Sequence, residues 1–361
     1  MRVVDWGLPM LLEAVVSMAI VVVLLGAVFS LLDPGQGAVA TQPLAADIQQ
    51  RARAAFSELH RELLMAGSGK GPGARTALGW LRAPIVPGRM DGSTTADAAA
   101  DDPGFTLFYA PPGVTGARLD TGLPAGPSEA LVSLAPGPGC RRPPRCGVER
   151  SGSALVFDRR GRSELYRVTE ARGPAVGMRR LGVGPGAAFA PGASIVPVTV
   201  RGYVLDRRRG QLRRHGGTTA TLPVIDGVVD LSVRYFGGAL PVLTPASSAG
   251  DAAERVAAPC LVAAAGLARP PGAAPPPTRE LTSAELTDGP WCGRSLPFDL
   301  DLFRVRRVRV ALRLRVPDDP WRGRGLLASG RPGPGNRGGR SGGVPDLTLR
   351  FDVAPRSLAS W

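Results

Sequence analysis

The side chains with the most distinctive chemistry in this 361-residue chain are its four cysteines. They are Cys140, Cys146, Cys260 and Cys292. The first two flank the short segment RRPPR and the last two flank a proline-rich segment, with no Cys-x-x-Cys spacing. An even number of cysteines in loops favours two local disulfides, 140–146 and 260–292, and an oxidising compartment. A zinc site is the alternative, but it would need closer ligand pairs than these spacings provide.

No group of acids, bases or nucleophiles forms a recognisable catalytic motif. His60 lies among the charged residues of a predicted helix, and His215 is next to Gly-Gly, as in a turn. The glycine-rich run 182–189 lacks the lysine and Ser/Thr of a phosphate-binding loop. Asp299 and Asp301 alternate as on one strand face; such pairs can bind calcium, although a solvated edge is the simpler interpretation. We therefore predict that the protein is not an enzyme and binds no cofactor or metal.

A lone carboxylate near the start of a long apolar run is the second candidate functional group. Between Met10 and Leu32 the only charged residue is Glu13. At about 1.5 Å per residue this run would extend roughly 30–35 Å, so it predicts a membrane-spanning helix. A cleaved signal peptide is the alternative, but its apolar core is usually shorter, and Asp33-Pro34-Gly35 ends the run here with no Ala-x-Ala site directly after it. A charge held in hydrocarbon is costly and usually marks function.

Arginine dominates the charge of the chain. The formal net charge is +14 and the isoelectric point is about 11.1, with Lys70 as the only lysine. A basic surface of this kind could bind nucleic acid or anionic lipid. The 48 glycines and 36 prolines indicate instead a compositional bias, and no basic motif is interleaved with aromatic residues. Nucleic acid is therefore a secondary candidate partner.

The elements that would position these groups follow from hydrophobic periodicity. Apolar residues from Leu44 to Leu63 recur every three or four positions, which predicts an amphipathic helix over residues 42–66 that ends near Gly67. Eight segments with strand character are 105–110, 130–134, 154–158, 164–169, 194–206, 228–236, 303–316 and 347–353. In the segment 303–316 apolar residues alternate with arginine, and the alternation shifts by one at Arg306-Arg307, which predicts a half-buried strand with a bulge.

The remaining segments are rich in glycine and proline and predict loops or disordered insertions. They cover roughly residues 67–104, 111–128, 135–152, 239–297 and 317–346. The expected fold class is α+β, with a long N-terminal helix, membrane-spanning in its first half, packed on a C-terminal antiparallel β-sheet. The predicted parts are a leader-like segment 1–8, a transmembrane helix 9–33, an amphipathic helix 34–66 and an extracytoplasmic β-rich domain 67–361.

The order of these parts resembles the type IV pilins and pseudopilins. The segment PMLLEAVVSMAI resembles the opening of a mature pilin, with Glu13 fifth if Pro9 is first. The helix end FSELHRELLMAGSG resembles the corresponding stretch of the PilW-like minor pilins. The segments LYRVTEA, VRGYVLDRRRGQLRR, PVIDGVVDLSVRYFG and VRRVRVALRLRV follow in the order seen in that subfamily. The resemblance covers most of the chain apart from the glycine- and proline-rich insertions.

The resemblance implies a role, a processing event and a set of partners. Prepilin peptidase would cut beside Gly7, Leu8 and Pro9, although a cut after Gly7 would make Glu13 the sixth residue of the mature chain. Glu13 would meet the N-terminal amine of a neighbouring subunit. The protein would be a minor pilin-like subunit that primes or caps a filament, with other pilins and inner-membrane lipid as partners.

The predicted location is the inner membrane, with a cytoplasmic N-terminus and a periplasmic β domain, followed by the pilus or cell surface. A type II secretion pseudopilin, or an anchored binding domain that never enters a filament, are the alternatives.

Overall fold

We describe the protein from a computed structural model that covers residues 7–69, 81–88, 104–111, 113–138, 140–182, 186–216, 221–238, 277–289, 291–293, 296–316 and 345–355. The chain divides into two compact units. Unit 1 contains Met1–Arg51 and Arg315–Leu347, and unit 2 contains Ala52–Leu314 and Thr348–Trp361.

The α-helix α1 (Gly7–Met65) contributes residues to both units. It continues across Pro34 and Gly35, two residues that usually end or kink a helix. In unit 1 its side chains are described over 12–28 and 42–51, and those of 12–28 are all exposed. In unit 2 the helix ends just before Gly67, whose φ of +70° favours glycine at a helix C-terminus.

Unit 2 is built mainly from antiparallel strands, and ten of them form its largest sheet. These strands are β1 (Ile85–Pro87), β2 (Gly104–Tyr109), β3 (Ala117–Leu119), β4 (Glu129–Pro136), β5 (Ser153–Phe157), β6 (Ser163–Arg172), β7 (Ala175–Arg180), β8 (Ser194–Asp206), β9 (Gln211–His215) and β10 (Thr221–Asp226). The long strand β8 organises the sheet because it pairs with β2, β3, β5 and β9 along its 13 residues. Such multiple pairing brings segments together that are distant in the sequence.

A second sheet has four strands in the order β12-β11-β15-β16. Its strands are β11 (Val228–Gly237), β12 (Arg279–Leu281), β15 (Val305–Leu314) and β16 (Leu347–Val353). A two-stranded ribbon pairs β13 (Trp291–Cys292) with β14 (Phe298–Asp299), and two short 3-10 helices cover Ala284–Leu286 and Leu300–Arg304. The register of β11 against β15 shifts opposite Arg306, so the predicted bulge is confirmed.

The core of unit 2 follows from the alternation of apolar and polar residues. On β15 the apolar residues Val308, Val310, Leu312 and Leu314 are fully buried, and arginines occupy the opposite face. On α1 the residues Ala55, Leu59 and Leu63 are also fully buried, at the four-residue spacing of one helix face. Burial of this apolar surface is the main favourable contribution to folding.

The predicted α+β, pilin-like fold class is wrong. Among the residues that the structure describes, 44% lie in strands against 22% in helices, and a large antiparallel sheet dominates. All eight predicted strands are present, but the described residues contain eight more. Several of these are short strands inside segments that the sequence assigns to loops, such as Ile85–Pro87, Ala117–Leu119 and Arg279–Leu281. These short strands are stabilised by hydrogen bonds to adjacent strands, and the glycine- and proline-rich sequence around them gives no local signal for a strand.

The predicted transmembrane helix over residues 9–33 is also a wrong prediction. Across the residues that the structure describes, no helix combines the length and apolar character needed to cross a bilayer.

Candidate functional site

The most unusual surface in unit 1 is the apolar stretch of α1 between Leu12 and Val28. Its large apolar side chains are exposed by 50% to 72%. They are Leu12, Val15, Val16, Met18, Ile20, Val21, Val22, Val23, Leu24, Leu25 and Val28. They lie on all sides of the helix, since many are consecutive in the sequence. Large contiguous apolar surfaces are unusual on soluble proteins and are typical of protein- or membrane-interaction sites.

Glu13 is exposed at the beginning of this apolar stretch. It lies almost two turns into a helix that begins at Gly7, so the three predicted processing residues, Gly7, Leu8 and Pro9, form its first turn. The structure therefore places the candidate processing and subunit-pairing residues next to each other along one helix. Among the side chains that the structure describes, none forms an ion pair with Glu13.

In unit 2, the last turns of α1 are bound to the large sheet by two glutamates. Glu58 Oε1 accepts hydrogen bonds from Arg214 Nη1 at 2.8 Å and from the Tyr203 hydroxyl at 3.2 Å. Glu62 Oε2 accepts a hydrogen bond from the Tyr109 hydroxyl at 2.7 Å. The side chains of Glu58 and Glu62 are only 20% and 8% exposed. We call these five residues the helix clamp.

The helix clamp shifts the ionisation of its tyrosines. Burial, and then the hydrogen bond to Glu62, raises the pKa of Tyr109 from 10.0 to about 12. Burial, and then the negative charges of Glu62 and Glu58, raises the pKa of Tyr203 well above its ordinary value. Both hydroxyls therefore remain protonated donors at neutral pH. This arrangement fixes the last turns of α1 on the sheet.

The helix clamp was not identified from the sequence. The four-residue spacing of Glu58 and Glu62 places both carboxylates on one side of α1, which is the signal that the sequence contains. Their partners are 47 to 156 positions away along the chain. The pairing therefore depends on the sheet topology.

The two histidines have structural surroundings. His60 stacks on Phe56 with ring centroids 5.0 Å apart and lies near Phe351, in partial agreement with a surface position on the helix. His215, which the sequence places in a turn, is instead the last residue of β9 and is only 1% exposed. Its ring lies against Gly202 on the neighbouring strand, where any Cβ atom would collide with it.

The cysteines form disulfides as far as the structure describes them. Cys140 and Cys146 are joined across a Cα–Cα distance of 5.1 Å, which is the predicted local pairing. Cys292 is also disulfide-bonded. Cys260 lies outside the described residues, so the 260–292 pairing stays a prediction. Paired cysteines leave no thiolate for zinc at 140 and 146.

The predicted pair of aspartates does not lie along one strand face. Asp299 ends β14, whereas Asp301 belongs to the following 3-10 helix, and their carboxylates cluster with that of Asp288 within 4.8 Å. Asp299 is buried and accepts hydrogen bonds from the backbone N–H groups of Gly289 and Asp301, and burial raises its pKa. Arg304 already neutralises Asp301 at 2.9 Å. The hydrogen bonds of Asp299 therefore hold the turn at Gly289 against the start of the 3-10 helix at Asp301.

No protein-family model matches this sequence, and no curated protein is significantly similar to it. The geometry and chemistry of its own residues therefore have to carry the functional conclusion. Two surfaces stand out: the apolar stretch of α1 with Glu13 in unit 1, and the arginine-rich face of the four-stranded sheet in unit 2.

Proposed function

We propose that the protein is a minor pilin-like assembly subunit whose N-terminal helix packs against the helices of other subunits in a filament. The exposed apolar stretch from Leu12 to Val28 carries this proposal. Side chains such as Val23, 71% exposed, gain about 25 cal/mol for each Å² of apolar surface that a partner covers. The ordered resemblance of the chain to PilW-like minor pilins supports the same role.

Glu13 would set the register of the packed helices. When neighbouring helices cover the apolar stretch, its carboxylate leaves water and must be paired. A terminal ammonium about 4 Å away would contribute roughly 4 kcal/mol at an effective dielectric constant near 20. A subunit shifted along the bundle would leave Glu13 unpaired and lose that contribution. A single carboxylate in the apolar surface of α1 thus favours one position of the helix along the bundle of neighbouring helices.

The proposed location of the β-rich domain is outside the cytoplasm. Disulfides persist in oxidising compartments, and Cys140, Cys146 and Cys292 are all disulfide-bonded. The strong β content and the local disulfide at 140–146 suit a domain displayed on a surface appendage. Prepilin peptidase remains the proposed processing enzyme for the segment around Gly7.

The proposal is tested by two substitutions on the exposed helix and one matched control. Glu13→Gln removes the charge without changing shape, and Val23→Lys places a second charge in the apolar stretch. Glu129→Gln changes an equally exposed acid on β4 of unit 2. We expect the first two variants to reduce co-purification of cross-linked pilins from native cells at least tenfold, with Glu129→Gln unchanged.

Thermal unfolding followed by circular dichroism separates a defect in assembly from a defect in folding. All three substituted side chains are exposed, so the substitutions should leave the midpoint of thermal unfolding unaltered. Normal recovery of pilins with Glu13→Gln and Val23→Lys, at normal protein level, would refute the assembly role.

A further inference from the structure

A groove of about 870 Å³ lies on the outer face of the four-stranded sheet in unit 2. Four arginines and two aspartates line it: Arg234, Arg309, Arg313 and Arg350, with Asp230 and Asp352. They come from three neighbouring strands, β11, β15 and β16. Small-molecule clefts of similar volume, about 300–1,000 Å³, are mainly apolar. This groove is mainly charged and therefore fits a charged ligand.

The two aspartates do not cancel the positive charge of the groove. Asp352 accepts two hydrogen bonds from Arg309, at 2.7 and 3.0 Å, and lies 3.5 Å from Arg307. One carboxylate thus neutralises part of two guanidinium groups. Arg350 is exposed and has no carboxylate partner within the described part of the chain. The lining residues alone carry a formal charge of +2.

Aromatic rings lie beside these arginines, an arrangement that the linear sequence does not reveal. Arg307 and Arg309 lie over the ring of Phe236, at 4.6 and 5.0 Å from its centre. Phe351 lines the groove next to Arg350. Phe236 is only 9% exposed, so the guanidinium groups, rather than the ring, present the surface on which exposed bases stack and with which phosphates pair.

We infer that this arginine groove binds the phosphate backbone of single-stranded nucleic acid. Successive outward residues are about 6–7 Å apart along a strand and about 5 Å apart between strands, so the arginines can meet several phosphates of one extended chain. The groove is concave, which disfavours a flat lipid surface. Bidentate arginine contacts fit phosphate oxygens and need no particular base sequence. This inference uses only unit 2 and does not depend on the assembly role.

The test uses the full chain and a fluorescein-labelled 20-nucleotide oligothymidylate, with binding followed by fluorescence anisotropy from 50 to 300 mM KCl. The groove variant is the double substitution Arg313→Gln and Arg350→Gln. The matched control is Arg141→Gln with Arg159→Gln, two exposed arginines outside the groove that remove the same charge. Circular dichroism checks that both proteins fold.

We expect wild-type affinity to fall steeply with salt, and the groove variant to bind at least tenfold more weakly at 100 mM KCl. Because each neutralised phosphate of a single strand contributes about 0.7 to the salt slope, the groove variant should lose roughly 1.4 from it. The control should stay within twofold of wild type. Equal losses in both variants, undetectable binding by wild type, or tighter groove-dependent binding to phosphatidylserine vesicles than to the oligonucleotide would each overturn the inference.

Discussion

Replacing Glu58 with alanine should loosen the end of α1 from the large sheet. The carboxylate accepts hydrogen bonds from Arg214 and Tyr203 and is 20% exposed. Hydrogen bonds to charged groups contribute about 1.5–3 kcal/mol to stability. The Arg214–Glu58 bond contributes less than the upper end of this range, because Arg214 is 30% exposed and water can take the place of the lost carboxylate. We expect a loss of about 2 kcal/mol in the free energy of opening this helix segment.

The loss is best measured locally, by hydrogen exchange and mass spectrometry of peptides from Ala52–Met65. If the helix opens as a unit, about 2 kcal/mol corresponds to roughly 30-fold faster exchange. The variant Tyr203→Phe, combined with Glu58→Ala in a double-mutant cycle, should show a coupling energy of about 0.5–1 kcal/mol, because the two side chains share one hydrogen bond.

Glu129→Ala, at an exposed position on β4, is the control and should change stability by less than about 0.5 kcal/mol. Exchange in Ala52–Met65 that is no faster for Glu58→Ala than for Glu129→Ala would refute the role of the helix clamp.

Two further predictions concern packing and pH. Gly202→Ala should destabilise unit 2 by about 1–3 kcal/mol, because the new Cβ would collide with the buried ring of His215. A Cβ added at Gly26 would have no atom within 4 Å, so Gly26→Ala should leave the urea midpoint unchanged or raise it slightly. Equal effects of the two substitutions on the urea midpoint would contradict the close contact between Gly202 and His215. The raised pKa of Tyr109 stabilises the folded protein fully below pH 10, and this contribution should disappear as the pH rises from 10 to about 12. Urea midpoints at pH 8.5 and 11.5 should therefore differ less for Tyr109→Phe than for wild type, and an identical difference would count against this assignment.

The sequence predicts those parts of the fold that are encoded by local periodicity. The strong alternation in β15, including the bulge at Arg306, is visible because the period of a strand does not depend on its partners. Strand β9 (Gln211–His215) has no such signal, since arginine occupies two of its five positions. Its place is set by pairing with β8, which only the folded sheet reveals. The predicted fold class was wrong because strands such as β9, which have no local signal, add to the sheet and were not predicted.

The candidate surfaces show the same limit. The apolar stretch around Glu13 is a property of neighbouring residues, so the sequence indicates it directly. The arginine groove depends on the register that places Arg234 opposite Arg309 and Asp230 opposite Arg313. No linear motif contains that register. Arginines that look like an ordinary solvated face in one strand become a charged groove when three strands lie side by side.

The four-stranded sheet also explains where this chain could gain length. About 40 residues separate β11 from β12, and about 30 separate β15 from β16. The entropic cost of closing a flexible connection grows only with the logarithm of its length, so a doubling costs about 0.6 kcal/mol. Both edge strands are therefore joined at sites where insertions are cheap. Segments rich in glycine and proline could expand there over evolutionary time while the paired strands, and the groove they form, kept their geometry.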